Sequence, residues 1–173
     1  MNGKFDIAVL DVDDARAALD ELADVLADCV NGGASVNFML PFGAADARKF
    51  FEKVIPGVAR DETVLLGARL NGRIVGTVQL GLDTPPNQPH RADVKKLLVH
   101  RRARGKGIGA ALMARIEAIA KERGRTLLTL DTASDDAKRV YERGGWQRLG
   151  IIPDYAMWPG GGFCDTVIYW KKL

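Results

Sequence analysis

The sequence predicts a mixed α/β domain, on three observations. Short runs in which apolar and polar residues alternate are interleaved with longer stretches whose apolar residues recur every three or four positions, the periods of strand and helix. Two strand-like runs are joined by Asn71-Gly72, a strong type I′ hairpin signal. A further strand-like run ending near Val99 passes through a basic, glycine-rich loop directly into a helical pattern. The length, 173 residues, fits one domain over 1–173, and a hydrophobic content of 47% is enough to build its core.

The elements follow in order. Phe5, Ile7 and Val9 alternate with small or polar residues and predict a strand over 4–10. Asp11, Asp13 and Asp14 then supply an N-cap and negative charge at the positive end of a helix dipole. Leu19, Leu22, Leu26 and Val30 place that amphipathic helix over 14–30, ended by Asn31-Gly32-Gly33. A second helix is expected over 44–55, with Phe50 and Phe51 inward and Pro56-Gly57 as its stop. The hairpin strands are 63–70 and 73–82, and the proline-rich stretch 83–89 is a loop. A strand over 92–99, a helix over 108–123 capped by Gly124, and a short buried strand over 126–131 follow. The chain then reads as a short helix over 135–143, a strand over 146–152, a Gly/Pro-rich loop over 153–162 and a closing strand over 163–171.

Charge and composition narrow the function classes. Lys and Arg number 25 against 22 Asp and Glu, a net charge of +3 that by itself calls for neither nucleic acid nor a membrane surface. No apolar run approaches the roughly 20 residues that span a bilayer, and Met1–Asp6 lacks the apolar stretch of a secretory leader. The expected location is cytoplasmic. Cys29 and Cys164 stand far apart with no CxxC partner, so they read as buried thiols. With only His90 and His100 and no Cys/His cluster, no built metal site is expected.

The informative stretch is Leu97-Leu98-Val99-His100-Arg101-Arg102-Ala103-Arg104-Gly105-Lys106-Gly107-Ile108-Gly109. Glycines permit positive φ and let a ligand approach the backbone. Exposed amides at a helix N-terminus bind anions, and Arg104 and Lys106 add positive charge at the same place. Such a loop suits a pyrophosphate. A Walker loop needs Ser or Thr after Gly-Lys, and a dinucleotide fold needs Gly-x-Gly-x-x-Gly at its first strand–helix turn; neither is present.

What the run does resemble is Arg/Gln-x-x-Gly-x-Gly/Ala, the acyl-CoA loop of the GNAT superfamily of N-acetyltransferases, here Arg104-Gly105-Lys106-Gly107-Ile108-Gly109. A second segment, Ser134 through Trp146, resembles that superfamily's Asn-x-x-Ala-x-x-Leu-Tyr-x-x-x-Gly-Phe, with Ala137, Tyr141, Gly145 and Trp146 in register. Val140 replaces Leu. Ser134 stands where the family carries Asn, which weakens the expected side-chain contact there. The resemblance covers 63–173 and implies a central, splayed, mostly antiparallel sheet flanked by helices. It implies acetyl-CoA as donor, with its arm in a wedge between strands 92–99 and 126–131 along Leu98 and Val99. The Val99 amide would be the oxyanion donor, and Arg104, Gly105, Lys106, Gly107, Ile108, Gly109, Ser134 and Ala137 would contact the cofactor.

A narrower resemblance concerns the acceptor. Gly32-Gly33-Ala34-Ser35-Val36 with Phe38-Met39, Arg91-Ala92-Asp93-Val94, Leu130-Asp131-Thr132 and Ile152-Pro153 with Tyr155 are similar to the tabtoxin-resistance acetyltransferases. That group acetylates an amino-acid-like β-lactam toxin, which implies Gly33, Ser35, Phe38 and Tyr155 as acceptor contacts.

The chemistry needs a base, because an alkyl ammonium with a pKa near ~10 cannot attack a thioester until it loses a proton. Asp93 and Asp131, at the rims of neighbouring strands, are the candidates, with Asp93 favoured as base and Asp131 as its substrate-orienting partner. Against this, Asp93 is also placed to pair with Arg91 or Lys95, and Asp131 to cap the helix that follows. Tyr141 is the candidate donor to the departing thiolate. The expected reaction is transfer to the amine of a small molecule, with a protein N-terminus or lysine as the alternative acceptor. That alternative needs an open groove, which the expected loop over 153–162 would cover. The basic run from Lys95 to Lys106 lacks interleaved aromatics and is accounted for by a ligand with three phosphates, so no nucleic-acid partner is expected. Whether the chain forms a homodimer stays open.

Overall fold

In a computed structural model, which describes residues 4–173, Asp11 caps the first helix by accepting from the amides of Asp13 and Asp14 at 2.9 and 2.8 Å. Strand β1 (Phe5–Val9) precedes it; α1 (Val12–Ala17), α2 (Leu19–Asn31) and α3 (Ala44–Ala59) follow. The hairpin β2 (Thr63–Leu70) and β3 (Arg73–Gly81) leads to β4 (Arg91–Val99), a 3₁₀ turn (Arg101–Ala103) and α4 (Ile108–Glu122). Strand β5 (Leu127–Thr132), helix α5 (Asp135–Arg143), and strands β6 (Gln147–Met157) and β7 (Phe163–Lys172) complete the chain. Asn71 and Gly72 both have positive φ, 52° and 79°, as a type I′ turn requires.

The seven strands form one sheet in the order β1-β2-β3-β4-β5-β7-β6. Every neighbouring pair is antiparallel except β4 and β5. Alternation along the strands gives each face its own core. On one face α4 and α5 pack through Ile108, Leu112, Ile116 and Tyr141 against Val64, Leu66 and Val78. On the other, α1–α3 pack through Leu22, Leu26 and Phe51 against Leu65 and Ile74.

Three elements differ from the sequence expectation. The helix over 14–30 is two helices broken at Ala18, whose amide still reaches the Asp14 carbonyl. Ala15 and Ala18 are both buried, and the apolar periodicity runs through the break, so nothing in the pattern marks it. Pro56 does not stop α3, which runs on to Ala59. The ring removes the bond to the Glu52 carbonyl, but Glu52 and Pro56 both lie on the exposed side where water replaces it, while Ile55 stays buried. The loop over 153–162 is also shorter than expected. Strand β6 continues to Met157 with a register shift between Ile152 and Ala156, and only 158–162 turn. A proline is tolerated because β6 is the sheet's edge, and the Asp154 amide is satisfied by Asp165 Oδ1 at 3.0 Å.

Candidate active site

The parallel pairing of β4 and β5 covers only Arg91↔Leu127, Ala92↔Leu128 and Asp93↔Thr129. Beyond Asp93 the two strands part, although β4 stays bonded to β3 as far as Val99 and β5 to β7 as far as Thr132. The gap opens into a cleft of about 1220 Å³ walled by the free edges of β4 and β5, the start of α4, α5 and the chain after α2. The His100 amide donates to the Val75 carbonyl on β3 at 2.8 Å. Because successive amides in a strand face opposite edges, the Val99 amide faces the gap. The Val99 carbonyl faces it too, accepting from Arg104 Nε at 3.1 Å and from the Cys29 thiol at 3.6 Å.

At the mouth of the cleft the chain turns through Gly105 and Gly107, with φ of 74° and 78°, and Gly107 is the N-cap of α4. Helices α1, α2, α3 and α5 each carry acidic residues in their first turn, but α4 carries none. Its free amides and dipole are therefore left for an external anion. Arg104, Gly105, Gly107, Ile108 and Gly109 line the cleft, whereas the Lys106 side chain stands outside its wall. Less of the basic run is available to a ligand than its sequence suggests. Asp28 accepts from the Arg101 amide and Nε at 2.8 and 2.9 Å, and Arg102 pairs with Asp24 at 3.2 Å, tying the turn to α2. Burial works to raise the Asp28 carboxyl, but the hydrogen bonds from Arg101 outweigh it and hold the group below its ordinary value.

The predicted catalytic residues all line the cleft. Asp93 is held through Oδ1 by Arg91 and by the Thr129 hydroxyl, at the apex where β4 and β5 still pair. Asp131 accepts from the Thr166 hydroxyl on Oδ2 at 2.8 Å, and its Oδ1 has no hydrogen-bond partner among the described residues. Tyr141 is buried, its ring between Trp146 and Tyr169 at centroid distances of 6.0 and 5.7 Å. Burial, and after it the Asp131 carboxylate, pushes the phenol well above its ordinary value.

The remaining predicted residues divide. Leu98 and Ala137 are in the walls. Ser134 is there too, but its hydroxyl is used as the N-cap of α5, accepting from the Ala137 amide at 3.3 Å. Ser35 donates to the Met157 carbonyl at 3.0 Å and accepts from the Cys164 thiol at 3.4 Å, pinning the chain after α2 to β6 and β7. Tyr155 lines the mouth and is exposed. Gly33 and Phe38 lie outside the cleft wall. Gly33, with φ 91°, terminates α2, and Phe38 packs on Phe42 and Phe50 at 4.6 and 5.5 Å. Their residue types fit a helix end and an aromatic cluster without a ligand.

Sequence reasoning missed Lys96 and Thr166, which both line the cleft. Lys96 sits at the point of strand separation with φ 53°, its ammonium 6.0 Å from the centre of the Phe50 ring. Burial lowers its proton affinity, and the facing Asp131 carboxylate opposes that shift. As a sequence it is one member of a basic run. What sets it apart is the irregularity of β4 at its own position, which the alternation of the sequence does not mark.

The sequence profile of the Acetyltransferase (GNAT) family matches residues 19–146, most of the chain and both motif segments. The chain belongs to the acetyltransferase (GNAT) family. A curated relative, the IAA acetyltransferase of Azospirillum brasilense, is 32% identical over 100 residues, which are 57% of this chain. The chain spans about 63% of that relative's length. Among solved structures, yncA from Salmonella typhimurium, determined with its cofactor acetyl-CoA, superposes with a TM-score of 0.76 at 18% identity, covering 98% of this chain and 94% of the other. A GNAT superfamily phosphinothricin acetyltransferase from Sinorhizobium meliloti, in complex with acetyl-CoA, gives 0.78 at 17% identity, covering 100% and 89%. At such identities these structures establish the fold. Among the described residues there is no cluster of His, Cys, Asp and Glu able to hold a metal, and no helix is long and apolar enough to cross a membrane.

Proposed function

We propose that this chain is an acetyl-CoA-dependent N-acetyltransferase that acylates the amine of a small, amino-acid-like molecule by direct attack on the thioester. The observation that carries this is the parting of β4 from β5 beyond Asp93, beside a helix start bare of acidic residues. The pyrophosphate sits on the amides from 105 to 109, and the donor's arm runs along the free edge of β4 as an added strand would. The Val99 amide faces the thioester carbonyl, where negative charge develops. Arg104 gives up the Val99 carbonyl on binding and turns to phosphate.

Asp131 is the better of the two carboxylates to receive the amine's proton. Among the described residues both keep an oxygen without a partner, but Asp93 is already tied up by Arg91 and the Thr129 hydroxyl, whereas Asp131 has only the Thr166 hydroxyl and lines the cleft beside Tyr141. This reverses the roles expected from the sequence. A phenol held above ~10 is too weak an acid to hand its proton to a thiolate of pKa near ~8.5. Tyr141 therefore donates a hydrogen bond to the sulfur as the C–S bond breaks and the N–C bond forms. The thiolate takes its proton from solvent, to which Asp131 returns the one it accepted. The part of the tabtoxin-resistance resemblance that lies in the cleft wall, at Ser35, Asp93, Asp131 and Tyr155, supports tabtoxinine-β-lactam as the narrowest form of the acceptor.

One observation favours a second reading. Because β6 runs to Met157, the mouth beside Tyr155 is not roofed by a long loop, which leaves room for a protein N-terminus. A CoA-release screen of amino acids, tabtoxinine-β-lactam, polyamines and N-terminal peptides decides between them. Faster turnover of peptides than of any amino-acid analogue overturns the first reading.

A further inference from the structure

Among the charges that line the cleft, Lys96 on β4 and Asp131 on β5 have no counter-ion among the described residues. On the β4 side, Lys96 Nζ has no ion pair and no hydrogen bond among the described residues and stands 6.0 Å from the centre of the Phe50 ring. On the β5 side, Asp131 accepts from Thr166 on one oxygen and has no partner on the other among the described residues. Both groups line the same cleft from the two strands that part, yet they do not meet within the 4 Å of a salt bridge. Lys96 is half-buried while Asp131 is exposed, so it is the ammonium that has lost part of its hydration without gaining a counter-ion. The group that fits is one carrying both signs a short distance apart.

We infer that Lys96 is the specificity-determining residue of the acceptor site, binding the carboxylate of an α-amino acid whose amine lies at Asp131. This rests on acetyl transfer in this cleft and names the chemistry of the acceptor. A carboxylate on Lys96 gains a charge-assisted hydrogen bond in a partly desolvated site, and the same ligand's amine faces the base. A plain alkylamine or an α-amide leaves Lys96 unpaired. The Phe50 ring under the ammonium limits its reach, so the carboxylate position is fixed while the side chain of the acceptor is not.

The test uses a panel of L-amino acids, their α-amides and their decarboxylated amines. Turnover is followed by CoA release, and binding by calorimetry on the CoA-loaded protein. The expected result is a preference for acid over amide of roughly 10- to 100-fold in both kcat/KM and Kd. In Lys96→Met the ratio falls to near 1, while Lys96→Arg keeps most of it. Turnover of amines with an equal ratio in wild type and Lys96→Met overturns the inference and leaves acetyl transfer standing. A binding preference lost in Lys96→Met, without turnover of any amine, supports the carboxylate site and counts against acetyl transfer. No preference in either measurement overturns the inference.

Discussion

Gly107 and Gly124 stand at the two ends of α4 in almost the same backbone state, with φ of 78° and 71°, and a Cβ added to either meets no atom within 4 Å. An L-residue in the left-handed region costs about 1–2 kcal/mol. With no clash added, Gly107→Ala and Gly124→Ala should each destabilise the unliganded chain by about that amount. For a chain of this size that is about 2–4 °C in Tm per kcal/mol. Their effects on the donor should differ. Gly107 is in the cleft wall where the helix amides start, and Gly124 is not. Tilting or screening one amide–phosphate bond forfeits about 1.5–3 kcal/mol, roughly 10- to 100-fold in Kd. Thermal unfolding of both variants with and without acetyl-CoA, with calorimetric Kd values, should give matched unliganded Tm values and at least about tenfold weaker binding in Gly107→Ala alone. Equal affinity in the two variants refutes the placement of the pyrophosphate at this loop.

Four further outcomes follow from the same geometry. Asp131→Asn should lower kcat/KM by about 10²–10⁴, with a smaller kinetic loss in Asp93→Asn; the opposite ranking would exchange their roles. Tyr141→Phe should cut kcat by about 10- to 100-fold with both KM values nearly unchanged, and undiminished turnover would reduce the residue to packing. The Tyr169 phenol is pushed up to about 12 by burial and its bond to Glu142, and Tyr141 is raised as well, so the folded chain keeps protons that the unfolded chain releases above ~10. Their contribution to stability is full below ~pH 10 and is lost as pH climbs through the folded values; denaturant titrations across ~pH 9–11 should show the fall, less steep in Tyr169→Phe, and an identical slope there would count against it. Burial raises the Cys29 thiol, so thiolate is scarce and kinetics should be sequential; a protein mass gain of one acetyl group with acetyl-CoA alone would establish an acyl-enzyme instead.

What the sequence discloses about this fold is what local chemistry decides. The Asp11 cap, the Asn71-Gly72 turn, and the glycines at 105 and 107 each need a particular residue at a particular backbone state, and each is where the residue types put it. The misread elements are settled by surroundings that a local pattern does not contain. Pro56 reads as a stop until its exposure shows that water can take the lost bond. Pro153 reads as loop until β6 proves to be an edge strand. The site divides in the same way. The glycine loop at the cleft mouth is legible because its backbone state demands those residues, whereas Gly33 and Phe38 match a motif and yet serve a helix end and an aromatic cluster. Arg101 and Arg102 read as phosphate ligands because their partners, Asp28 and Asp24, lie more than seventy residues away in sequence.

The least legible feature is the one that makes the cleft. Thr77 pairs with Leu98 and Gln79 with Lys95, so β4 spends three steps where β3 spends two. The extra residue is accommodated at Lys96, whose φ of 53° is the signature of a bulge. A one-residue insertion exchanges the faces of everything after it. Ala92 and Val94 face the α4 core before the bulge, whereas Leu98 faces the α1–α3 core after it. The same bend carries β4 away from β5 just past the Asp93–Thr129 pair. One backbone irregularity thus opens the wedge, turns the Val99 amide toward it, and places a lysine ammonium in its wall opposite Asp131. No glycine marks the spot. A lysine in the left-handed region carries a conformational cost that the surrounding sheet must hold in place, and such cost gathers where a site needs a shape that regular strands cannot supply. Repairing the bulge by deleting Lys96 should restore alternation and close β4 onto β5, and with it abolish acetyl-CoA binding in a chain that still folds. Retained binding in a folded deletion variant would separate the wedge from the bulge.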